Sequence, residues 1–353
     1  MRQERDLRMN EPELARLALF MEGVVPGYER TETGMRQLAA ELGFAPDSTV
    51  PWPRRADGML QGVVCTALVD GEARPWTVHQ DHRGVVVPLS RITADAPGHA
   101  AEYCRTAVAL QRVLGSPDYF GTYANDDAGR SWGTPHMRWR EKYATVELRA
   151  GASGPELVSD FTDLWEEDYR EAMQRNPTGF IGANGGDALL HVPAATARDL
   201  GEFTESLAAL LSCLPAETTA LGVTLGLGLF GRVRQGFSPL LFDIRSGGHL
   251  HVGYFAPDGV AAAASGEAAA QLGWRPTRPA AFRDSARPAH FDAPWHFDGG
   301  APGATRAREA ADLIVRTAVA AGVESVEDLA LGGEAEQQGH HYFRYPGLRL
   351  KTV

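Results

Sequence analysis

The spacing of apolar residues along the chain changes repeatedly between a helical period and a strand period. Leu14, Leu17, Ala18 and Met21 recur every three or four residues, which predicts an amphipathic helix over Glu11–Met21. The same reasoning predicts further helices at 31–42, 98–114, 195–214, 266–272 and 301–321. Thr31 is the expected N-cap of the second helix and Gly43 its C-terminal stop.

Runs of β-branched and alternating residues predict strands between these helices. The predicted strands lie at 60–69, 75–80, 83–90, 136–140, 142–150, 188–193, 220–233, 239–245 and 249–255. Asp70–Gly71 is a hairpin signal between the first two strands. We interpret 115–135 as a turn-rich loop, 155–173 as an acidic helix or extension, and 325–331 as a short helix.

Both halves of the chain follow one order of elements: a helix, a meander of three strands, and another helix. This order predicts an α+β chain of two tandem domains, each an antiparallel sheet packed with helices. The glycine-rich stretch Asn176–Gly186 is the best candidate linker. We therefore place an N-terminal domain at 1–178, a C-terminal domain at 187–331 and a tail at 332–353.

Composition and charge exclude several classes of function. The formal net charge is −11 over 353 residues, which argues against a partner that displays a nucleic-acid backbone. No apolar run reaches the roughly 18 residues that cross a bilayer, and no apolar signal segment follows the charged N-terminus. Cys65, Cys104 and Cys213 are widely spaced and odd in number, so we expect buried thiols and no disulfide or zinc framework. These features predict a cytoplasmic protein that contacts no membrane.

The stretch Gly226–Gly231 (G-L-G-L-F-G) matches the dinucleotide-binding pattern letter for letter. That pattern needs a helix immediately after its glycines, but strand-like residues follow here, so we interpret the stretch as part of a strand. Alternation along this strand would place Val223, Leu225, Leu227 and Leu229 on a core face and Thr224, Gly226, Gly228 and Phe230 on the other. A face with so little side chain indicates either close approach of a ligand or backbone, or a flat strand under a helix.

Two groups of histidines are candidate metal ligands. His249 and His251 share one face of a predicted strand, where Asp243 and Arg245 of the neighbouring strand are expected to hydrogen-bond them. The stretch Ala289–Gly300 (A-H-F-D-A-P-W-H-F-D-G-G) holds the second group. In extended form it would place His290, Asp292 and His296 on one side and aromatic residues on the other. We interpret it mainly as an edge strand or loop that packs against the core, with metal binding as the alternative.

The second half, over Ala220–Leu331, resembles the YbjN and type III secretion chaperone-like domains of actinobacteria, the TY-Chap group. The resemblance is carried by the strand trio ending in H-L-H-V-G-Y-F, by L-G-W-x-P at Leu272–Pro276, and by V-R-T-x-x-x-x-G-V at Val315–Val323. The first half resembles an uncharacterised actinobacterial family of similar layout. Its landmarks are L-A-A-E-L-G at Leu38–Gly43, L-G-S-P at Leu114–Pro117 and T-P-H-M-R-W-R at Thr134–Arg140. The chain departs from the TY-Chap pattern after L-G-W, where the His-Phe-Asp repeat replaces the usual Asn and Trp.

The resemblance implies a chaperone or adaptor fold that binds a peptide or protein partner, for a secreted or conflict-system protein, with no catalytic residues. The chain also lacks a nucleophile elbow, a phosphate-binding loop and an H-E-x-x-H motif. We therefore expect a non-enzymatic binding protein without cofactor or metal. The expected contact residues are Thr224, Gly226, Gly228, Phe230, Asp243, Arg245, His249 and His251. The alternatives are an immunity protein that neutralises a toxin and a metal-dependent enzyme that uses the His249/His251 face.

Overall fold

A computed structural model gives the fold of the chain in two compact units. It describes residues 7–23, 32–46, 62–69, 72–80, 85–92, 94–122, 135–162, 197–231, 240–247, 249–256, 266–276, 289–292, 303–332, 336–338, 341–343 and 345–352. One unit comprises Met1–Gly121 and Pro135–Gly186, and the other comprises Thr122–Thr134 and Asp187–Val353. Helices and antiparallel sheets confirm the predicted α+β class, while the domain limits stay a prediction. Within the described ranges, no helix is at once long enough and apolar enough to cross a membrane.

The first unit packs helices on one face of an antiparallel sheet. Its helices are α1 (Glu11–Gly23), α2 (Glu32–Glu41) and α3 (Ala96–Leu114). Its strands are β1 (Leu7–Arg8), β2 (Ala45–Pro46), β3 (Gly62–Val69), β4 (Glu72–Gln80), β5 (Val85–Pro88), β6 (Ser90–Arg91), β7 (Tyr119–Thr122), β8 (Pro135–Arg140), β9 (Ala144–Ala150) and β10 (Pro155–Phe161). The strands of the main sheet follow the order β7-β8-β9-β10-β5-β4-β3-β2, and β1 pairs separately with β6.

The apolar stripe of α1 confirms the helical period predicted from the sequence. Leu14, Leu17, Ala18 and Met21 are the buried residues of this helix, and α1 contacts α3, β9 and β10. Asp95 caps α3 by accepting a hydrogen bond from the backbone N–H of Gly98 at 3.1 Å, which satisfies one of the donors that a helix start leaves open. The stripe therefore forms the core between the helices and the sheet.

The second unit repeats the arrangement of helices on one sheet face. Its helices are α4 (Leu200–Leu221), α5 (Gly266–Leu272) and α6 (Ala304–Ala320). Its strands are β11 (Leu225–Gly231), β12 (Leu240–Ser246), β13 (Leu250–Ala256), β14 (Arg275–Pro276), β15 (Ala289–Asp292), β16 (Leu329–Gly332), β17 (Glu336–Gln338), β18 (His341–Phe343) and β19 (Lys351–Thr352). The main sheet has the order β14-β15-β13-β12-β11-β16-β19, and only β16 and β19 pair in parallel.

Alternation along β11 confirms the strand interpretation of the glycine-rich motif. Leu225, Leu227 and Leu229 are buried, while Gly226 and Gly228 between them are half-buried. The leucines lie in register with Ser246, Ile244 and Phe242 of β12. Since side chains alternate between the two faces of a strand, these residues form one apolar face, and α4 contacts β12 and β13.

The predicted end of the fourth helix was wrong, because α4 continues through Pro215 to Leu221. A proline inside a helix removes one backbone donor, and the sequence therefore suggested a stop. Here the hydroxyl of Thr218 donates to the carbonyl of Leu214 at 2.9 Å, and Thr219 donates to that of Pro215 at 2.7 Å. Burial of Ala220 and Leu221 extends the packed surface past the proline. The strand predicted from Ala220 accordingly begins only at Leu225.

Three other segments differ from their predicted conformation. Tyr119–Thr122 lies inside the predicted loop but forms β7, and Pro155–Phe161 of the acidic segment forms β10. Only Val326–Asp328 of the last predicted helix is helical, as a single 3-10 turn, and Leu329–Gly332 then forms β16. β10 forms a short hairpin with β9 and also pairs with the distant β5, while β16 pairs with β11 and β19. Local spacing carries no information about the distant partners.

The His-Phe-Asp repeat begins with a strand, but the strand is not at an edge. Ala289–Asp292 forms β15, which pairs with β13 on one side and with the two-residue strand β14 on the other. The remaining part of the motif, with His296, lies outside the described residues, as do the linker Asn176–Gly186 and the turn at Asp70–Gly71. The expectation of an edge position missed β14, which follows Trp274 directly.

The segment predicted as a tail contains buried residues and regular structure. Leu348 and Leu350 are 1% and 2% exposed, and Lys351–Thr352 pairs in parallel with β16. The guanidinium of Arg349 donates to the carboxylate of Glu202 at 2.5 Å, near the start of α4. The end of the chain is thus held to the second unit by packing and by an ion pair.

Trp274 connects the helices of the second unit to its sheet. Its ring stacks on Phe242 with centroids 6.1 Å apart and lies 5.5 Å from the ring of Tyr254. Its indole N–H donates to the hydroxyl of Thr317 in α6 at 2.7 Å, and that hydroxyl donates to the carbonyl of Leu313. Gly273, at φ 110°, turns the chain from α5 to Trp274, a conformation that favours glycine. One side chain therefore joins α5, α6, β12 and β13.

Replacement of Thr317 by valine is expected to reduce the free energy of unfolding by about 1–3 kcal/mol, because the buried indole N–H of Trp274 would lose its acceptor. Thr305→Val makes the same chemical change at an exposed position of α6 and is expected to alter stability by no more than about 0.5 kcal/mol. Urea unfolding of the two variants measures the difference. Equal stabilities for both variants would contradict the role assigned to this hydrogen bond.

Candidate functional site

The predicted contact residues lie on or beside the second sheet, opposite its buried leucines. We call this set the open face, and its members are Thr224, Gly226, Gly228, Phe230, Asp243, Arg245, His249 and His251. Thr224, Arg245, His249 and His251 are exposed, and the other four are half-buried. The structure thus brings together residues from β11, β12, β13 and the segments that flank them.

Strand register arranges the open face in rows across the sheet. Gly226 pairs with Arg245, which pairs in turn with His251. The next row joins Gly228, Asp243 and Gly253. Side chains that face each other directly across strands lie within contact distance, so Asp243 stands between two residues without side chains. Arg245 and His251 are thus neighbours in one row, and Asp243 carries the side chain of the next row between Gly228 and Gly253.

Asp243 and Arg245 form an ion pair with each other. Arg245 Nε lies 2.7 Å from Asp243 Oδ2, and the two side chains are 66% and 15% exposed. Because the arginine is so accessible, water screens the pair and its contribution to stability is small. The pair instead fixes the position of a guanidinium whose other donors are open to solvent.

Phe230 accounts for the absence of a side chain at Gly228. A Cβ atom at Gly228 would lie 2.9 Å from Phe230 Cε2 and 3.1 Å from Leu240 Cδ1. The small residue therefore makes room for an aromatic ring of the same strand face, and neither predicted alternative describes this packing. Phe230 is itself half-buried, so it adds a partly accessible aromatic surface to the open face.

The two histidines occupy different structural positions from those predicted. His251 lies in β13, while His249 precedes it in the connection from β12, where its carbonyl accepts from the backbone N–H of Gly247 at 3.2 Å. His249 therefore lies directly before the strand and His251 within it, and both are exposed. Within the described part of the chain, no group of three or more His, Cys, Asp or Glu side chains is placed to hold a metal ion.

The second candidate metal group is only partly described. In β15, His290 pairs with Phe255 and Asp292 pairs with Gly253 through the backbone. Asp292 is thereby placed in the same row as Asp243, one strand beyond Gly253. His296 lies outside the described residues, so the proposed set of three ligands remains a prediction.

Sequence reasoning missed a charged cluster in the first unit, which we call the charged ladder: His136, Arg138, Glu147, Arg149 and Glu156. Arg138 Nε lies 2.6 Å from Glu147 Oε2, with the two side chains 12% and 0% exposed. Arg149 Nε lies 3.2 Å from Glu156 Oε2, and His136 is fully buried in register with Arg149. Charged and apolar residues alternate in H-M-R-W-R and V-E-L-R, which is visible in the sequence. The register of the two strands, which the sequence does not give, decides which charges face each other.

Removal of Arg138 is expected to destabilise the chain strongly, because the fully buried carboxylate of Glu147 would lose its ion pair with this guanidinium. Arg138→Met should reduce the free energy of unfolding by about 3–5 kcal/mol, whereas Arg138→Met with Glu147→Leu should recover most of that loss.

Arg112→Met is the matched control for this experiment. It breaks the Arg112–Glu11 pair, whose side chains are 62% and 63% exposed, and should change stability by less than about 1 kcal/mol. Denaturant unfolding compares the three variants. Similar losses for Arg138→Met and Arg112→Met would show that the ladder pair is not a buried pair in solution.

Comparisons with known proteins give no relative for this chain. No family model matches it, and neither a curated protein nor a solved structure matches it. The resemblance to chaperone-like domains therefore stays a prediction from short motifs.

Proposed function

We propose that the chain is a non-enzymatic chaperone or adaptor that binds a protein or peptide partner on the open face. The observation that carries this proposal is the difference between the two faces of the second sheet. One face is buried with α4, whereas the other presents exposed Arg245, His249 and His251 beside half-buried Phe230. An accessible sheet face with both polar and aromatic groups suits recognition of another chain.

The composition of the open face indicates how the partner would be held. Arginine and aromatic side chains are the residue types that most often dominate binding energy at protein interfaces. The exposed guanidinium of Arg245, held by Asp243, would take a carboxylate or a backbone carbonyl of the partner. The half-buried ring of Phe230 would contact an apolar side chain.

An immunity protein that neutralises a toxin is the second candidate function. Its supporting observation is the net charge of −11, which would steer a basic toxin towards the chain. It uses the same binding chemistry, so partner identity separates it from a chaperone. A recovered partner that is toxic alone, and harmless when co-expressed with this chain, would favour immunity.

The proposal predicts that reversing the charge of Arg245 abolishes partner capture. The tagged full chain, Arg245→Glu and Arg306→Glu would be expressed in the native host and purified under gentle lysis. Arg306 is exposed on α6, so its variant makes the same charge change away from the open face. We expect a stoichiometric partner with the wild type and Arg306→Glu, and binding at least about tenfold weaker with Arg245→Glu, as for a contact that dominates an interface.

Two results would contradict the proposal. One is a monodisperse wild-type chain without any stoichiometric partner. The other is a partner retained equally by both variants, because binding would then lie elsewhere on the chain. His251→Glu, in the same row as Arg245, provides a second open-face variant should Arg245→Glu prove poorly folded.

A further inference from the structure

Glu217 is a carboxyl group enclosed completely in the second unit. It lies in α4 and is 0% exposed. Among the residues that the structure describes, neither of its carboxylate oxygens has a hydrogen-bond partner. An ionised carboxylate in such surroundings is far less stable than in water. Burial accordingly raises the pKa of Glu217 well above its ordinary value of 4.5.

The elements packed on α4 present uncharged side chains to it. In α6 the buried residues are Ala307, Ala310, Ala311, Leu313, Ile314, Thr317 and Ala318. The charged residues of α6 are exposed or half-buried: Arg306, Arg308, Glu309, Asp312 and Arg316. Arg308 pairs with Asp312 and with Glu205, which lies in the N-terminal part of α4. The ion pair from α6 to α4 thus lies at Glu205, far along the helix from Glu217.

The sheet and the C-terminal segment also contribute neutral groups. On β12 and β13, Asp243, Arg245 and His251 belong to the open face, and Tyr254 is the titratable residue on the helix side. Burial raises the pKa of Tyr254 as well, so its phenol stays neutral. The adjacent 3-10 helix Pro346–Leu348 carries no titratable side chain, although Tyr345 before it is buried and Arg349 after it pairs with Glu202.

The half of α4 that holds Glu217 begins where the helix backbone lacks one N–H donor. Pro215 lies two residues earlier and supplies no backbone N–H to the helix. The neighbouring Thr218 connects this half to the sheet, because its hydroxyl lies 2.9 Å from that of Ser246 in β12. An opening of α4 after Pro215 would expose Glu217 to water and separate Thr218 from Ser246.

We propose that Glu217 is a pH-responsive switch: as a neutral acid it permits the second half of α4 to pack on the sheet, and its ionisation as the pH rises releases that half from β12. Below the pKa of Glu217 in the unfolded chain, both states carry the proton and the switch has no effect. Above that value the native state alone retains the proton, so stability falls as the pH rises until the buried group ionises.

The test compares the full-length wild type with Glu217→Gln and Glu309→Gln between pH 4 and pH 10. Glutamine is a neutral isostere of the protonated acid, and Glu309→Gln makes the same change at an exposed position of α6. Between a pH of about 4.3 and the pH at which the buried group ionises, the unfolding constant of the wild type should rise relative to that of Glu217→Gln by about tenfold per pH unit. Glu309→Gln should follow the wild type.

Hydrogen exchange by mass spectrometry locates the opening. Peptides covering 216–222 should exchange faster in the wild type than in Glu217→Gln at alkaline pH, while peptides covering 203–211 should exchange equally. Comparison of the two proteins at one pH removes the intrinsic pH dependence of exchange. Infrared difference spectra should also show a protonated carboxylic acid over the pH range in which the stability falls, and this band should be missing from Glu217→Gln.

The inference is overturned by any of three results. The unfolding constants of the wild type and Glu217→Gln could share one pH dependence. Exchange over 216–222 could be equal in both proteins at alkaline pH. The infrared band of a protonated acid could be absent from the wild type. Absence of the infrared band can be established on the folded wild-type chain alone. That result would overturn the inference even where a variant folds poorly.

Discussion

The packing of Trp274 between two helices and two strands is the constraint on which the second unit depends. Its ring contacts Phe242 and Tyr254, and its indole N–H reaches Thr317. Because side chains alternate along a strand, holding Phe242 on the helix side places Asp243 and Arg245 on the other side. A shift of one residue would bury an aspartate and an arginine under α4. The position of the open face is thus a consequence of how the core is packed.

Local pattern predicted those parts of the fold whose stability is local. The stripe of Leu14 and Met21 in α1 and the leucines of β11 were visible in the sequence, since spacing alone decides which face they occupy. The course of α4 through Pro215 was not, because the helix is extended by the burial of Ala220 and Leu221 beyond the proline. Tertiary packing outweighed a local rule at that position.

The sequence predicted which residues share the open face, but it did not predict the contacts among their side chains. Alternation identified Gly226, Gly228 and Arg245 as residues of one sheet face, and the structure places them there. The Asp243–Arg245 pair and the ring of Phe230 over Gly228 depend on rotamers, which spacing does not determine. The charged ladder depends on register between strands, and Glu217 sits on a helix whose other face is equally buried. Neither the ladder nor the burial of Glu217 follows from the spacing of residues along the chain.

The landmarks behind the resemblance to chaperone-like domains are packing positions in this structure. Trp274 of L-G-W-x-P donates to Thr317 of V-R-T-x-x-x-x-G-V, so the two motifs meet in the core. The glycines of both, Gly273 and Gly322, have φ values of 110° and 99° and end helices. Residues in such roles specify an architecture, and many functions can be built on one architecture. In the proposed binding role, specificity for a partner would therefore reside in residues outside these two motifs, such as the exposed Arg245 and His251.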